Sequence, residues 1–365
     1  MSNCFNLFNL QTLFMINKIR IQNFKSIADL ELDLGRVNVF IGENGCGKTN
    51  ILEGVGFGLT VNSRPFDAGT KKPISDDLYL NLFYSYTIHA GIRRNMTESF
   101  FSSFDSSKKM FFVINGHICK EISLHKNKVW DIDEKHYGEV TEIIYIKDRS
   151  TYQIFSPEES MLRKFENENF GDINIKGVGL FKHLLNLSKS KPEIIEQLNE
   201  KLRLIDWFGG FEIPTDLMFT EKRINIRDKY LKHLDYFDQR SSNEGFLFLL
   251  FYFTLFLSPQ TPKFFAIDNI DNALNPKLCA KLIQELVKIA KENDKQVLLT
   301  THNPAILDGL DLNDDEQRLF TVYRNVDGTT TARRVKAPKQ INGAAQVRLS
   351  EAFIRGYLGG LPNNF

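Results

Sequence analysis

The apolar positions of this chain change period along its length. Ile16 to Phe24, "INKIRIQNF", alternates apolar and polar residues, and so does Leu30 to Leu34, "LELDL", with "KSIAD" between them. A period of two marks a half-buried strand, so this stretch predicts an antiparallel hairpin. "RVNVFI", Arg36 to Ile41, reads as a fully buried strand, and it runs straight into "GENGCGKT". Beyond that, "TNILEGVGFGL", Thr49 to Leu59, takes up the apolar spacing of a helix.

The middle of the chain, about residues 60 to 225, is less regular. "NLFYSYTIHAG" and "MFFVINGHICKEISL" read as strands, and "KGVGLFKHLLNLSKSKPEIIEQLNEKLRLIDWF" as two helices broken near Pro192. No internal repeat, low-complexity tract or sustained heptad is present, so a long coiled-coil arm is not expected. Regular pattern returns after about residue 235. "KFFAID", Lys263 to Asp268, and "QVLLTTH", Gln296 to His302, are apolar strands. Between them "NPKLCAKLIQELVKIAKEN", Asn275 to Asn293, is an amphipathic helix with Pro276 in its first turn. Strand, helix, strand in this order implies a parallel α/β sheet. "RLFTVYRNVDGTTTARRV", Arg318 to Val335, then predicts a hairpin turning at Asp327-Gly328.

Composition changes this picture little. Hydrophobic residues at 42% and charged residues at 25% are ordinary for a globular protein, and 31 phenylalanines predict a large aromatic core. The run "FLFLLFYFTLFL", Phe246 to Leu257, is too short for a membrane span of about 20 residues and reads as a buried core helix. A net charge of +1 neither demands nor excludes nucleic acid. The basic doublets Lys71-Lys72, Arg93-Arg94, Lys108-Lys109 and Arg333-Arg334 read as solvated surface. Cys4, Cys46, Cys119 and Cys279 have neither metal-ligand nor disulfide spacing, which fits a reducing cytoplasm. Residues 1–14 lack the basic start and small-residue cleavage site of a signal peptide; they are expected to be a loose extension, with Met15 as an alternative start.

The chemistry concentrates in a few short motifs. Gly42-Glu43-Asn44-Gly45-Cys46-Gly47-Lys48-Thr49 fits G-x-x-x-x-G-K-[ST] in full, between a strand and a helix as that motif requires. Its glycines let main-chain N–H groups converge on phosphates, at the positive end of the following helix. Lys48 is placed to reach the β- and γ-phosphates of ATP, and Thr49 to ligate Mg²⁺. Such a loop also needs a carboxylate at a strand end for the metal, and Asp268 closes "KFFAID". Guanine is disfavoured, because the nearest stretch to N-K-x-D, "NKVWD", has Trp130 at the aspartate position.

"NFKSI", "GENGCGKTNILEGV", "IDNIDNALNP" and "TTHNPAIL", in this order, resemble the ABC-type ATPase heads of the RecF/SMC/OLD group. The likeness is nearest to stand-alone AAA-family ATPases of bacterial anti-phage systems, the OLD and Septu types among them, and "LSEAFIRGYLGGLPNNF" resembles their tail. It covers about residues 15 to 60 and 235 to 365. The resemblance implies an α/β P-loop NTPase of head type: a mixed central sheet, an N-terminal antiparallel β subdomain and an inserted, mainly helical region. The divisions expected on that basis are an extension over 1–14, an N-terminal lobe over 15–95, an insertion over 96–225 and a C-terminal lobe over 226–365.

Site roles follow from the same resemblance. ATP and Mg²⁺ are the implied cofactors, bound by Gly42, Asn44, Gly45, Cys46, Gly47, Lys48, Thr49 and Asn50, with Lys25 and Ser26 of the first hairpin close by. Heads of this group dimerise head to tail, so a homodimer or higher oligomer is implied, each copy offering a signature loop to its partner's nucleotide. The counterpart here is "RSSNEG", with Ser241, Ser242 and Asn243 in the signature positions; Asn243 stands for a glycine, which is tolerable because asparagine visits left-handed geometry most readily after glycine. The same stretch also reads as a plain N-cap of the Phe-rich helix. His302 takes the place of the switch histidine, Asn272 to Asn275 that of the loop crossing the dimer interface, and Gln153 is a candidate for the glutamine loop. One departure stands out. The residue after the magnesium aspartate is usually glutamate, the base for the attacking water; here it is Asn269, which takes no proton, and Asp271 two residues on is the substitute. Slow hydrolysis and a persistent ATP-bound dimer are therefore expected. No nuclease motif stands out after His302, so a separate effector, a nuclease or toxin, is the expected partner, with no membrane. A RecF-like DNA-binding ATPase of repair or replication is the alternative reading.

Overall fold

The computed structural model describes residues 15–60, 110–114, 117–124, 130–133, 152–165, 173–214, 222–337 and 347–360. The expected strand "NLFYSYTIHAG" lies outside them, as do the extension over 1–14 and three of the four basic doublets.

Strand β1 (Lys18–Phe24) pairs antiparallel with β2 (Ile27–Asp33). The turn is tighter than the sequence suggested. Phe24 faces Ile27 across the ladder, so only Lys25-Ser26 turns and Ile27 to Asp29 already belong to β2. Asn23 and Lys25 take positive φ, 55° and 51°, to make it. Then come β3 (Val37–Ile41) and helix α1 (Lys48–Thr60). Strands β4 (Met110–Ile114), β5 (His117–Leu124) and β6 (Trp130–Asp133) follow, and β4 pairs with β1, giving an antiparallel sheet ordered β2-β1-β4-β5-β6.

The short strand β7 (Ile154–Phe155) precedes α2 (Glu159–Arg163). Helices α3 (Leu180–Ser190) and α4 (Pro192–Leu202) break where the sequence said, with Pro192 in the first turn of α4. A hairpin, β8 (Phe208–Glu212) and β9 (Asn225–Asp228), leads to α5 (Glu244–Leu257). The chain then runs through β10 (Phe264–Ile267), α6 (Pro276–Glu292) and β11 (Gln296–Thr301). It ends with the hairpin β12 (Gln317–Arg324) and β13 (Thr330–Val335) and the short helix α7 (Leu349–Ile354).

The central sheet is ordered β13-β12-β3-β11-β10-β7, all parallel except the edge strand β13. It is a mixed sheet in an α/β fold. Strands β3, β10 and β11 are buried on both faces, which is why they read as apolar runs without alternation. Alternate residues still divide between two cores. Val37, Val39, Ile41, Phe265, Ile267, Val297 and Leu299 face α3 to α6, while Phe40, Phe264, Ala266 and Leu298 face α1 and the first hairpin. Every residue from Phe246 to Leu257 is buried. A helix apolar on all sides belongs inside the molecule, and α5 packs its rings against the sheet through Phe155–Phe251 at 5.9 Å and Phe256–Phe265 at 5.2 Å. Among the described residues no helix is long and apolar enough to cross a membrane.

Parallel strands place their carboxyl ends at one edge. Here β3, β10 and β11 deliver Gly42, Asp268 and His302 to that edge. A ligand cleft outside the carboxyl ends is the general outcome for such sheets.

Candidate nucleotide site

The loop from Gly42 to Gly47 is shaped by what lies behind it. A Cβ on Gly42 would sit 2.1 Å from the Val322 carbonyl oxygen of β12. One on Gly47, at φ +108°, would sit 2.1 Å from Thr330 Oγ1 of β13. Side chains are excluded from both positions by close contact with the C-terminal hairpin. Asn44 and Gly45 form the exposed tip, and Arg324 Nε donates to the Gly45 carbonyl at 2.9 Å.

Helix α1 opens directly on Lys48, Thr49 and Asn50. Lys48 is buried, and its ammonium donates to the Gly42 and Glu43 carbonyls, each at 2.8 Å. Burial holds this ammonium below its usual range, against the opposing pull of Cys46, Asp268 and Asp271. Thr49 Oγ1 donates to Asp268 Oδ2 at 3.1 Å, joining residues 219 positions apart. Asp268 is itself buried, and its other oxygen accepts from Thr300 Oγ1. Thr300 Oγ1 also accepts from the Asn269 N–H at 2.9 Å, which fixes the chain as it leaves β10.

Asn269 stands at φ 56°, in left-handed geometry that asparagine tolerates better than most residues. Asp271 is steered by the end of β11: Thr301 Oγ1 donates to its Oδ1 at 2.7 Å, and the His302 N–H approaches at 3.4 Å. His302 Nδ1 lies 3.1 Å from the Gly42 carbonyl oxygen and 3.2 Å from Lys48 Nζ. Burial and the Lys48 charge hold its imidazole below the usual range. Lys48, Thr49, Asp268, Asp271 and His302 thus meet within one cluster.

Other sequence-derived positions fall differently. Ser26 reaches the loop: Asn50 Nδ2 donates to Ser26 Oγ at 2.7 Å. Lys25 turns instead onto Glu53, a buried carboxylate of α1, and bonds it as an ion pair. Gln153 precedes β7, whereas the ligand edge is reached only after Phe155, whose carbonyl accepts from the Asp268 N–H at 2.8 Å. The glutamine therefore stands on the wrong side of its strand for a nucleotide contact, and Ser156 occupies the corresponding edge.

Asn243 has φ −77° and ψ 155°, which is extended rather than left-handed geometry. The plain reading holds: Asn243 Oδ1 caps α5 by accepting from the Phe246 N–H at 2.8 Å. Ser241 closes a turn capped by Asp238, and Arg163 gathers the Arg240 and Ser242 carbonyls at 2.6 and 2.8 Å. Ser242 Oγ is buried with no hydrogen-bond partner among the described residues. This loop sits beside Asn272 to Asn275, since a Cβ on Gly245 would lie 3.3 Å from the Ala273 carbonyl oxygen. Sequence reasoning missed Thr300, Thr301, Arg324 and Thr330. The two threonines of "TTH" were in view without a role, and nothing local marks the other two.

The family described as "AAA domain, putative AbiEii toxin, Type IV TA system" matches residues 37–308. The chain belongs to that family. It is thus an AAA-family P-loop ATPase, and the match spans the loop, Asp268 and His302. A curated relative, the DNA replication and repair protein RecF of Lactobacillus acidophilus, is 25% identical over 235 residues, covering 61% of this chain and 54% of the relative. The chain therefore spans about half the length of that relative. Among solved structures, an Smc head bound to the C-terminal winged-helix domain of ScpA superposes with a TM-score of 0.54 at 14% identity, over 88% of this chain and 98% of that one. An SMC head domain from Thermotoga maritima gives 0.45 at 15% identity, over 89% and 100%. The first of these shows the head-type P-loop fold.

The residues present fit magnesium and a nucleotide triphosphate. The loop is bare of Cβ atoms where main chain must curve, and a threonine hydroxyl and a carboxylate form a hard oxygen pair suited to Mg²⁺.

Proposed function

We propose that this AAA-family chain binds Mg²⁺–ATP at Gly42–Asn50, hydrolyses it slowly, and uses the bound nucleotide to close two copies of itself into a dimer that controls a separate effector. The observation that carries the reading is the 3.1 Å contact between Thr49 and Asp268, beside Lys48, Asp271 and His302. Thr49 and Asp268 would hold the magnesium ion, which supplies charge neutralisation of the phosphates. Lys48 leaves its carbonyl partners for the β- and γ-oxygens. Asp271, steered by Thr301, accepts the proton of the attacking water in place of the residue at 269. Asn269 makes that arrangement a poor one, so turnover is slow and the bound state persists. Slow turnover suits a switch, because a ligand shifts states only by binding them differently and staying bound.

The signature role of Ser241, Ser242 and Asn243 belongs to the same proposal. The loop lies beside Asn272 to Asn275, the stretch proposed to cross the dimer interface, and that neighbourhood supports the role. The effector is proposed as a nuclease or toxin of an anti-phage system. The test is sedimentation of Asp271→Asn protein with and without Mg²⁺–ATP. A dimer that appears only with nucleotide supports the reading; a monomer that binds ATP and stays monomeric overturns the dimer.

A second reading rests on the 25% identity to RecF: a DNA-binding ATPase of repair or replication. Duplex DNA affinity that depends on ATP and falls steeply with salt would select it.

A further inference from the structure

We propose that Thr330, seated by Ser26, is a positioning residue for the triphosphate, so that the C-terminal hairpin is part of the ATP site. The inference rests on the reading of Gly42–Asn50 as that site.

Four polar groups from three distant segments form one chain of hydrogen bonds. Asn50 Nδ2 donates to Ser26 Oγ at 2.7 Å, Ser26 Oγ lies 2.6 Å from Thr330 Oγ1, and Thr330 Oγ1 donates to the Cys46 carbonyl at 2.9 Å. The direction is forced. Carbonyl oxygens only accept, so the Thr330 proton goes to Cys46; the Ser26 proton then goes to Thr330, and the Asn50 amide supplies Ser26. Each hydroxyl gives one bond and takes one. The Thr330 N–H also donates to the Ser26 carbonyl at 2.7 Å, locking the two segments through their main chains. Thr330 is 2% exposed and Ser26 7%, so water does not compete freely for these bonds.

The end of the chain matters for the phosphates. A trans peptide is planar, and its C=O and N–H point in opposite directions. Tying the Cys46 carbonyl to Thr330, behind the loop, turns the Gly47 N–H toward the loop's concave side. Arg324 holds the Gly45 carbonyl one peptide earlier, where the Cys46 N–H makes only a long bond of 3.4 Å to the Glu43 carbonyl that a phosphate oxygen can replace. Successive N–H groups aimed into one concavity are what an anion needs. Their aim is set here from residues about 280 positions away, by a hairpin whose own packing lies elsewhere, in the Phe40–Phe320 stack and the buried Val335. Thr330 therefore contributes more to ATP affinity than to hairpin stability.

The experiment is ATP affinity by calorimetry, with steady-state KM and kcat, on the wild type, Thr330→Val, Thr330→Ser, Ser26→Ala, the Ser26→Ala/Thr330→Val double variant and Val335→Ala. Thr330→Val keeps the side chain's shape and removes the hydroxyl. It is expected to raise Kd roughly five- to tenfold, the factor of about one hydrogen bond. KM should rise in step and kcat fall less than KM rises. Thr330→Ser should restore most of the affinity. The double variant should be no weaker than Thr330→Val alone, because both act through one chain. Val335→Ala should lower the melting temperature without moving Kd. Wild-type affinity in Thr330→Val overturns the inference, as does a Thr330→Ser variant as weak as Thr330→Val. An equal loss of affinity in Val335→Ala also overturns it, since stability alone would then explain the effect. A wild type that takes up no ATP overturns the site itself and this inference with it. Should Thr330→Val fail to fold, Ser26→Ala against Thr330→Ser decides.

Discussion

The two ends of the central sheet are both rich in buried polar side chains, and they use them in opposite ways. At the amino ends of the strands, most of the bonds go to main chain. Gln296 accepts from the Ile16 N–H at 2.9 Å and donates to the Ile16 and Gly35 carbonyls, both at 2.8 Å. Asn38 accepts from the Gly35 N–H at 2.8 Å and donates to its carbonyl at 2.9 Å. Lys295 spreads its ammonium over Ser258, Thr261 and Pro262 carbonyls at 2.9 to 3.2 Å. These groups staple loops that would otherwise bury unpaired peptides. At the carboxyl ends, side chains of separate motifs bond one another: Thr49 with Asp268, Thr300 with Asp268, Thr301 with Asp271, and Lys48 near His302. Polar burial by itself therefore does not mark a site. What marks it is titratable groups from several strand ends converging on one glycine loop.

Substitutions at the two ends sharpen this contrast. The largest effects are expected at the carboxyl end and in turnover. Lys48→Ala should abolish ATP hydrolysis, and Asp271→Ala should slow it by about a hundredfold or more while ATP still binds. Both should melt near the wild-type temperature. A brisk rate abolished by Lys48→Ala but untouched by Asp271→Ala would remove Asp271 from the mechanism. At the amino end the reverse holds. Gln296→Leu leaves one amide N–H and two carbonyls without their partner and should cost about 3 kcal/mol in denaturant unfolding, with ATP affinity kept within about twofold.

The stapling lysine gives a smaller, pH-dependent effect. Burial lowers the Lys295 pKa from 10.5 to about 7. Between those values the unfolded chain carries a proton that the folded one lacks, so raising the pH stabilises the fold; below pH 7 both states are charged and the penalty is constant. Wild-type stability should gain about 2 kcal/mol on Lys295→Met between pH 7 and pH 9, read as the difference in their unfolding curves. Smallest of all, Asn243→Ala should cost about 1 kcal/mol for the lost cap of α5, and Asn243→Asp should restore it.

What the sequence disclosed follows the same division. Strands β3, β10 and β11 and helices α1, α5 and α6 were legible because apolar runs and spacing are local. The glycine loop and Asp268 stood out because each follows directly on an apolar strand, whereas Asp271 and His302 were singled out on resemblance alone. The Lys25–Glu53 pair was not, since no spacing tells a lysine beside a phosphate loop from one held by a helix carboxylate. Gln153 was misplaced because a two-residue strand leaves no period to show where it ends. Asn243 caps α5, as the plain reading of the sequence had it, and its signature role rested on resemblance alone. Thr330 and Arg324 act across the whole chain, through contacts that only the folded hairpin creates.

The central claim is that Thr49 and Asp268 clasp a magnesium ion for the triphosphate. Calorimetric titration of ATP, with and without Mg²⁺, into wild type and Asp268→Asn tests it most directly. The account predicts tight, magnesium-dependent uptake by the wild type, and in Asp268→Asn weaker uptake that no longer responds to Mg²⁺. A wild type that takes up no ATP, or an Asp268→Asn protein with the full magnesium dependence, would contradict it.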